Sequence, residues 1–361
     1  MKILHIVENY SFTSGGIRTV VKNLHYELIT LKYSSNILSC QKDKEDNISI
    51  VNASKKPWLK SKDWDLKLAE IHSETQIDCI HIHGAWMYPQ YIAAKFSINN
   101  NIPFVLSPHG MYEPWLWTKG TLKKKIYFHF LVKNLFSKAS VIHAITQQEK
   151  ENLQKLFPKT NITEIPNLIK EEKNQYKEPV FKEKYFFFIG RLDSKKGIEL
   201  LINTFIKINP KGFKLKIAGK NNNYTDKLKQ IIEKNNFDKS KIKFLGFVEG
   251  EDKKILIKNA FVLVAPSYSE VIGMVNLEGA ILKTPVITTF QTGLKEPWND
   301  NGGFLINPKE DELEKILREV LTWSKDKRDA EGNKLYNYVK ENYSWATKIK
   351  DWQKLYKSAL Q

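Results

Sequence analysis

Short apolar runs rich in β-branched and aromatic residues alternate along this chain with stretches of helical periodicity, and the alternation is written twice. In the first half the strand-like runs are Ile3–Val7, Cys79–His83, Pro103–Ser107, Ser140–Ile145 and Thr163–Pro166, with helical spacing over Ile17–Leu31 and Gln147–Leu156. A polar connector rich in lysine and glutamate, Lys170–Lys184, interrupts the pattern. It restarts at Tyr185–Ile189 and continues through Lys214–Ala218, Lys241–Leu245, Phe261–Val264, Val286–Thr289 and Phe304–Ile306. Helices are predicted between these runs at Gly197–Lys207, Thr225–Asn235, Asp252–Asn259, Val275–Leu282 and Glu310–Trp323. Strands separated by helices must run parallel, and a parallel sheet needs cover on both faces. The expected architecture is therefore α/β, with two Rossmann-like lobes facing a cleft: 1–170, a linker at 171–184, and 185–342. From 343 a last helix carries Trp345, Ile349, Trp352, Leu355 and Tyr356 on one stripe, which is predicted to pack back across the lobes.

Length agrees with two domains, since 361 residues exceed one ordinary core. No apolar run approaches the ~18 residues of a membrane-spanning helix, and MKILHIVENY reads as a first strand rather than a signal peptide. Two cysteines, Cys40 and Cys79, exclude a disulfide framework and favour a reducing cytosol. The net charge of +17 is partly a matter of a Lys-, Asn- and Ile-rich composition, so location says more than the total. From Pro114 to Gln148 there is no acidic residue, while six lysines fall between Trp115 and Lys138. Leu122, Ile126, Phe130 and Leu131 fall on one face there, with lysines around it, a pattern suited to an anionic membrane interface. No groove-reading helix or RNP-type strand accompanies the charge, so nucleic acid is not an expected partner.

The chemistry concentrates after the strands. The run APSYSEVIGMVNLEGAILKTPVIT places Glu270 in a loop following a strand, and Glu278 about two turns later on a helix that ends before Pro285. That loop lies where open α/β sheets bind ligands, although two solvated surface acids would look the same in isolation. FFFIGRLDSKKGIELL ends a strand at Ile189, turns at Gly190, and flanks a helix start with Arg191 and Lys196. Arginine forks onto phosphate, lysine adds a point charge and a helix N-terminus adds oriented N–H groups, so a diphosphate can be held without a metal. Gly15–Gly16 forms a comparable turn after the first strand, but it matches neither GxGxxG nor a Walker A motif. His109, after Ser-Pro and before Gly at a strand's carboxyl end, is placed to reach a ligand, or to be satisfied by backbone. His81 and His83 share one strand face without a third ligand at fixed spacing, so no metal is expected, and Asp63-x-Asp65 reads as a helix start.

In chain order, GGIRTVVKNL, IHIHGAW, SPHGMYEPW, FIGRLDSKKGIELL, FLGFVEGED and the acid-x7-acid block resemble the retaining glycosyltransferases of family 4, whose fold is GT-B. SPHGM…PW with a lysine-rich helix is similar to the bacterial branch that builds lipopolysaccharide, capsule and exopolysaccharide on lipid-linked acceptors. The resemblance implies a metal-independent hexosyl transfer from a UDP- or GDP-sugar to a glycan or polyprenyl-linked acceptor, without a cofactor, on the cytoplasmic side of a membrane. It places His109 near the reacting carbon, Glu270 on the sugar hydroxyls and Glu278 on the ribose. Arg191, Lys196 and the backbone of Gly15 and Gly16 would hold the diphosphate, and Gly246, Phe247 and Val248 the base. Gly273, Met274 and Val275 complete the donor contacts, while Arg18, Trp115, Lys123, Lys124 and Lys125 would face acceptor or membrane. The chain departs from the family at Lys283, where glycine is usual, at Gly279, where alanine is common, and at Val271-Ile272-Gly273 after the first acid. A nucleotide-sugar epimerase on the same scaffold, or a non-catalytic nucleotide-sugar-binding homologue, would keep the same motifs.

Overall fold

A computed structural model describes residues 1–11, 14–44, 46–114, 117, 121–171 and 183–361. Among them every strand pairing is parallel, as the alternation demands. The chain divides into two compact units, residues 1–168 with 348–361, and residues 169–347. The C-terminal residues thus belong to the first unit, while most of the expected linker, 172–182, lies outside the described residues.

The first unit holds seven strands: β1 (Lys2–Ile6), β2 (Ser34–Ser39), β3 (Ser49–Ile50), β4 (Cys79–His83), β5 (Phe104–Ser107), β6 (Val141–Ala144) and β7 (Ile162–Glu164), in the order β3-β2-β1-β4-β5-β6-β7. The apolar pattern missed β2 and β3, because SSNILS and SI carry too little apolar character to stand out. It also passed over the helix Tyr88–Asn99. Asp63 and Asp65 do start a helix, in whose first turn acids suit the macrodipole. Leu4, Ile6, Ile80, Ile82, Leu106 and Ile142 supply the buried sheet residues of the core.

The second unit holds six strands, β8 (Lys184–Ile189), β9 (Phe213–Ala218), β10 (Ile242–Gly246), β11 (Val262–Ala265), β12 (Val286–Thr289) and β13 (Phe304–Ile306), in the order β10-β9-β8-β11-β12-β13. Phe186, Phe188, Leu215, Ile217, Val262 and Val264 fill its core. A helix at Lys325–Tyr343 follows, unsignalled because its sequence is polar and its buried side carries Arg328, Glu331 and Gly332 as well as Leu335 and Val339.

Strand order reverses between β1 and β4 in one sheet and between β8 and β11 in the other. Outside the carboxyl ends of those strands lie the switch points at which open parallel sheets leave room for a ligand.

Candidate functional site

In the second unit, the loops after β8 and β11 meet at its switch point. Gly197 has φ +66°, and a Cβ there would stand 2.0 Å from the Pro266 carbonyl oxygen, so only glycine permits the contact. The Tyr268 amide donates to the Lys195 carbonyl at 2.7 Å. Held this way, the Lys196 ammonium ion-pairs with Glu270, and the Ser267 hydroxyl donates to the same carboxylate oxygen at 3.3 Å. At Gly273 a Cβ would come 2.5 Å from Glu270 Oε2, so a larger residue there would displace that carboxylate. Among the described residues no side chain caps the helix Met274–Ile281 that starts there, which leaves its first N–H groups for a ligand. Burial pushes the Lys196 ammonium down to about 8, with Arg191 and Lys195 adding to the effect and Asp193 opposing it. Arg191 is exposed and pairs with Asp193 at 3.1 Å.

The turn at Gly246–Val248 is hooked into the same edge. Gly219 donates to the Gly246 carbonyl at 2.8 Å, and a Cβ at Gly219 would lie 2.3 Å from the Gly190 carbonyl oxygen. Gly246 itself has φ +74°, beside the exposed ring of Phe247 and a half-buried Val248. Met274 and Val275 are also half-buried. Glu278 is held by Lys253 at 2.7 Å, a partner on the helix Gly250–Lys258 that no local sequence signal indicates. Gly279 and Lys283, two positions at which the sequence departs from the pattern it resembles, sit in opposite settings. A Cβ at Gly279 would reach 2.7 Å from Val286 Cγ2 and 2.8 Å from Leu263 Cδ2, and Lys283 adopts φ +59°, the left-handed conformation glycine takes without strain.

In the first unit, Gly15 caps the helix Gly16–Thr30 with φ 69° and ψ −130°, a conformation open to glycine alone. Among the described residues no side chain caps this helix either, and a Cβ on Gly15 or Gly16 would meet none of them within 4 Å, which leaves the turn open on that side. Arg18 corrects an expectation. Its guanidinium donates to the Tyr10 carbonyl at 2.8 Å and to both Asp46 oxygens at 3.0 Å, buried and committed rather than presented to acceptor or membrane.

His109 stands at φ +53°, a strained left-handed position for a histidine, before Gly110 at φ +74°, where glycine is at ease, after β5. Glu149, on the helix Gln147–Leu156, accepts from the Gly110 amide at 2.6 Å and from the Ile145 amide at 2.8 Å, so one carboxylate clamps two loops. Burial pushes that carboxyl up to about 7 against the pull of the two amides. The His109 Nε2 is bonded to His83 Nδ1 at 2.9 Å, and His83 Nε2 to His5 Nδ1 at 3.0 Å. Ring nitrogens of His5, His81 and His83 come within 4.8 Å of one another, a spacing a metal ion can bridge. Both nitrogens of His81 and both of His83 are, however, already hydrogen-bonded within the protein. Burial pushes His5 and His109 down to about 3 and His143 to about 4, so these imidazoles are neutral.

Leu122, Ile126, Phe130 and Leu131 are all exposed, with Phe130 at 83% of its full area, beside exposed Lys123 and Lys125 and a half-buried Lys124. Trp115 lies outside the described residues. Among the described residues no helix is long and apolar enough to cross a membrane, and Cys40 and Cys79 are free and buried.

Two family models match, "Glycosyl transferases group 1" over residues 169–341 and "Glycosyltransferase Family 4" over residues 14–173. An uncharacterized glycosyltransferase of Methanocaldococcus jannaschii is 28% identical across 99% of this chain and 98% of its own length. A second from that organism is 33% identical over 54% of this chain and 51% of its own length. The O-antigen chain mannosyltransferase RfbU of Salmonella typhimurium is 27% identical over 52% of each. The chain thus spans about half the length of the last two relatives. Among solved structures, sucrose-phosphate synthase of Thermosynechococcus elongatus superposes with TM-score 0.80 at 16% identity, covering 99% and 98% of the two chains. Anabaena HepE in complex with UDP-glucose superposes with TM-score 0.78 at 17% identity, covering 99% and 100%. At such identities these likenesses establish the GT-B fold alone.

Proposed function

Because the chain belongs to the glycosyltransferases that the group 1 and family 4 models describe, we propose that it moves a sugar from a nucleotide-diphosphate donor, with retention, to a glycan or lipid-linked acceptor of cell-surface polysaccharide synthesis. The observation that carries this reading is the junction of the two second-unit loops. There a cation, Lys196, and an acceptor, Glu270, are locked together at the switch point beside an uncapped helix N-terminus. Lys196 and Arg191 take the charge that builds on the leaving diphosphate, while Glu270 orders the sugar hydroxyls. The acceptor oxygen attacks the anomeric carbon on the face the diphosphate leaves. The carbon–phosphate-oxygen bond breaks as the new glycosidic bond forms, and the acceptor's proton passes to the departing phosphate oxygen. In the second unit Glu278 takes the ribose and Gly246–Val248 the base; in the first unit the open turn at Gly15–Gly16 suits an anionic group and His109 a sugar hydroxyl. Supplied with these cations, the reaction needs no metal ion. The UDP-glucose complex of HepE and the O-antigen role of RfbU support a nucleotide-sugar donor and a polysaccharide acceptor.

The acid-free segment supports a cytoplasmic enzyme resting on the membrane, with Leu122, Ile126, Phe130 and Leu131 entering the interface and Lys123, Lys124 and Lys125 meeting anionic headgroups. Cosedimentation with vesicles that ignores anionic lipid content would remove the docking. Incubation with labelled UDP- and GDP-sugars and a lipid-linked acceptor, with chelator present, tests the transfer. Product with retained configuration is expected; altered sugar without acceptor would instead establish an epimerase, and binding without turnover a non-catalytic homologue.

A further inference from the structure

Two chains of hydrogen-bonded imidazoles run through the first unit, and one differs from the other in having no fixed direction. In the first, Tyr356 OH is 2.7 Å from His81 Nδ1, His81 Nε2 is 2.7 Å from Ser107 Oγ, Ser107 Oγ is 2.8 Å from His143 Nδ1, and His143 Nε2 is 2.7 Å from the Ile165 carbonyl oxygen. A carbonyl only accepts, so His143 must carry its proton on Nε2, and every earlier link is then settled: Ser107 donates to His143, His81 Nε2–H donates to Ser107, and Tyr356 donates to His81. This chain is closed and fully satisfied.

The second chain, His109–His83–His5, ends on no such anchor. His5 Nε2 is buried without a hydrogen-bond partner among the described residues, and the other end, half-buried His109, is the site residue itself. A neutral imidazole has one N–H and one bare nitrogen. If His109 Nε2 carries its proton, His83 Nδ1 is bare, His83 Nε2 is protonated and His5 Nδ1 is bare. The reverse choice reverses every link. Only two arrangements satisfy both bonds: all three rings protonated on Nε2, or all three on Nδ1.

Resting on the transferase reading above for the role of His109, we propose that His5 and His83 are positioning residues that lock the His109 tautomer, so that the proton state of its Nδ1 is shared by three rings and changes only in concert. Nε2 of His109 is taken by His83, which leaves Nδ1 as the nitrogen for a ligand. Lacking an anchor at His5, the relay lets that nitrogen serve as donor or as acceptor by a joint switch of all three rings. A sugar hydroxyl, which can play either part, is the ligand group such a nitrogen suits.

Nitrogen-15 NMR of the histidine-labelled full chain, which shows for each ring the protonated nitrogen, tests the lock without any substrate. His5, His83 and His109 are expected to share one tautomer, and to keep sharing one when UDP or GDP is added. A mixed set in either state overturns the proposal whether or not the protein transfers sugar. His83→Phe, which cuts the relay, is expected to free the His109 tautomer from that of His5 and to lower kcat/KM for transfer about tenfold, the order of one lost hydrogen bond. His83→Gln, offering one donor and one acceptor, is expected to recover part of that loss. Equal activity in His83→Phe and the unaltered protein would overturn the positioning role.

Discussion

At the first unit's switch point the polar groups are neutral and chained to one another, whereas at the second unit's they are charged and paired across two loops. The underlying strand order is the same in both, with the reversal at β1/β4 in one and β8/β11 in the other. Topology therefore decides where a ligand sits, and the loop residues decide what is done to it. On the proposed reading the cations serve where a leaving diphosphate is held, and the neutral imidazoles on a carboxylate-clamped turn serve where hydroxyls are oriented without adding charge.

The largest effects should come from the charged side. Lys196→Ala or Glu270→Ala is expected to lower kcat/KM for transfer by about 10²–10³, the usual scale for a preorganised group facing transition-state charge. Turnover at the original rate in both variants would remove the site assignment. The pH dependence sharpens the point. With Lys196 near 8, donor capture should weaken as pH rises through that value, because the cation is lost. The limb in kcat should lie higher, since a bound diphosphate favours the ammonium, and Lys196→Arg should abolish the limb. Stability moves the opposite way. The folded state holds this proton less tightly than the unfolded chain does, so the lysine's unfavourable contribution is relieved as pH rises from about 8 towards its ordinary value near 10.5.

On the neutral side the expected effects are on stability. Glu149→Gln keeps one acceptor but turns an N–H towards a backbone N–H, which should cost about 1–3 kcal/mol and loosen the His109–Gly110 turn. Tyr356→Phe leaves His81 Nδ1 without its donor and should cost a similar 1–3 kcal/mol. Denaturant midpoints measure both, and unchanged midpoints would show that the clamp and the closed chain contribute nothing. The smallest effect is at Lys283. Replacing it by glycine should stabilise by up to about 1 kcal/mol, because relief of left-handed strain outweighs glycine's entropy cost. A loss on that substitution would mean that the lysine's approach to the Tyr336 ring, at 5.2 Å, matters more than its backbone.

Much of the fold was legible because burial on both faces leaves a strong local mark. Cys79–His83 and Val286–Thr289 carry the same bounds in the sequence pattern and in the sheet. Ser34–Ser39 escaped because its polar composition hides a strand whose place comes from pairing with β1. The loops holding Arg191, Lys196 and Glu270, and the helix carrying Glu278, were visible through strand-then-glycine punctuation. Lys253 was not, being 25 positions from its partner with no periodicity linking them. His81 and His83 attracted notice as a same-face pair, yet nothing local tied them to Tyr356, 275 positions from His81, or to His5, 78 positions from His83.

By itself the sequence determined two parallel-sheet units, the loops at the carboxyl ends of their strands, and the charge each loop brings, because hydrophobic periodicity and turn chemistry act between near neighbours. The tertiary structure decided which distant groups share hydrogen bonds. It buried Arg18 in an ion pair, set Glu149 under the His109 turn, and threaded three imidazoles into one relay. Those outcomes depend on the register of β1 against β4 and on the packing of the C-terminal helix against the first unit, where long-range geometry rather than local preference selects each partner.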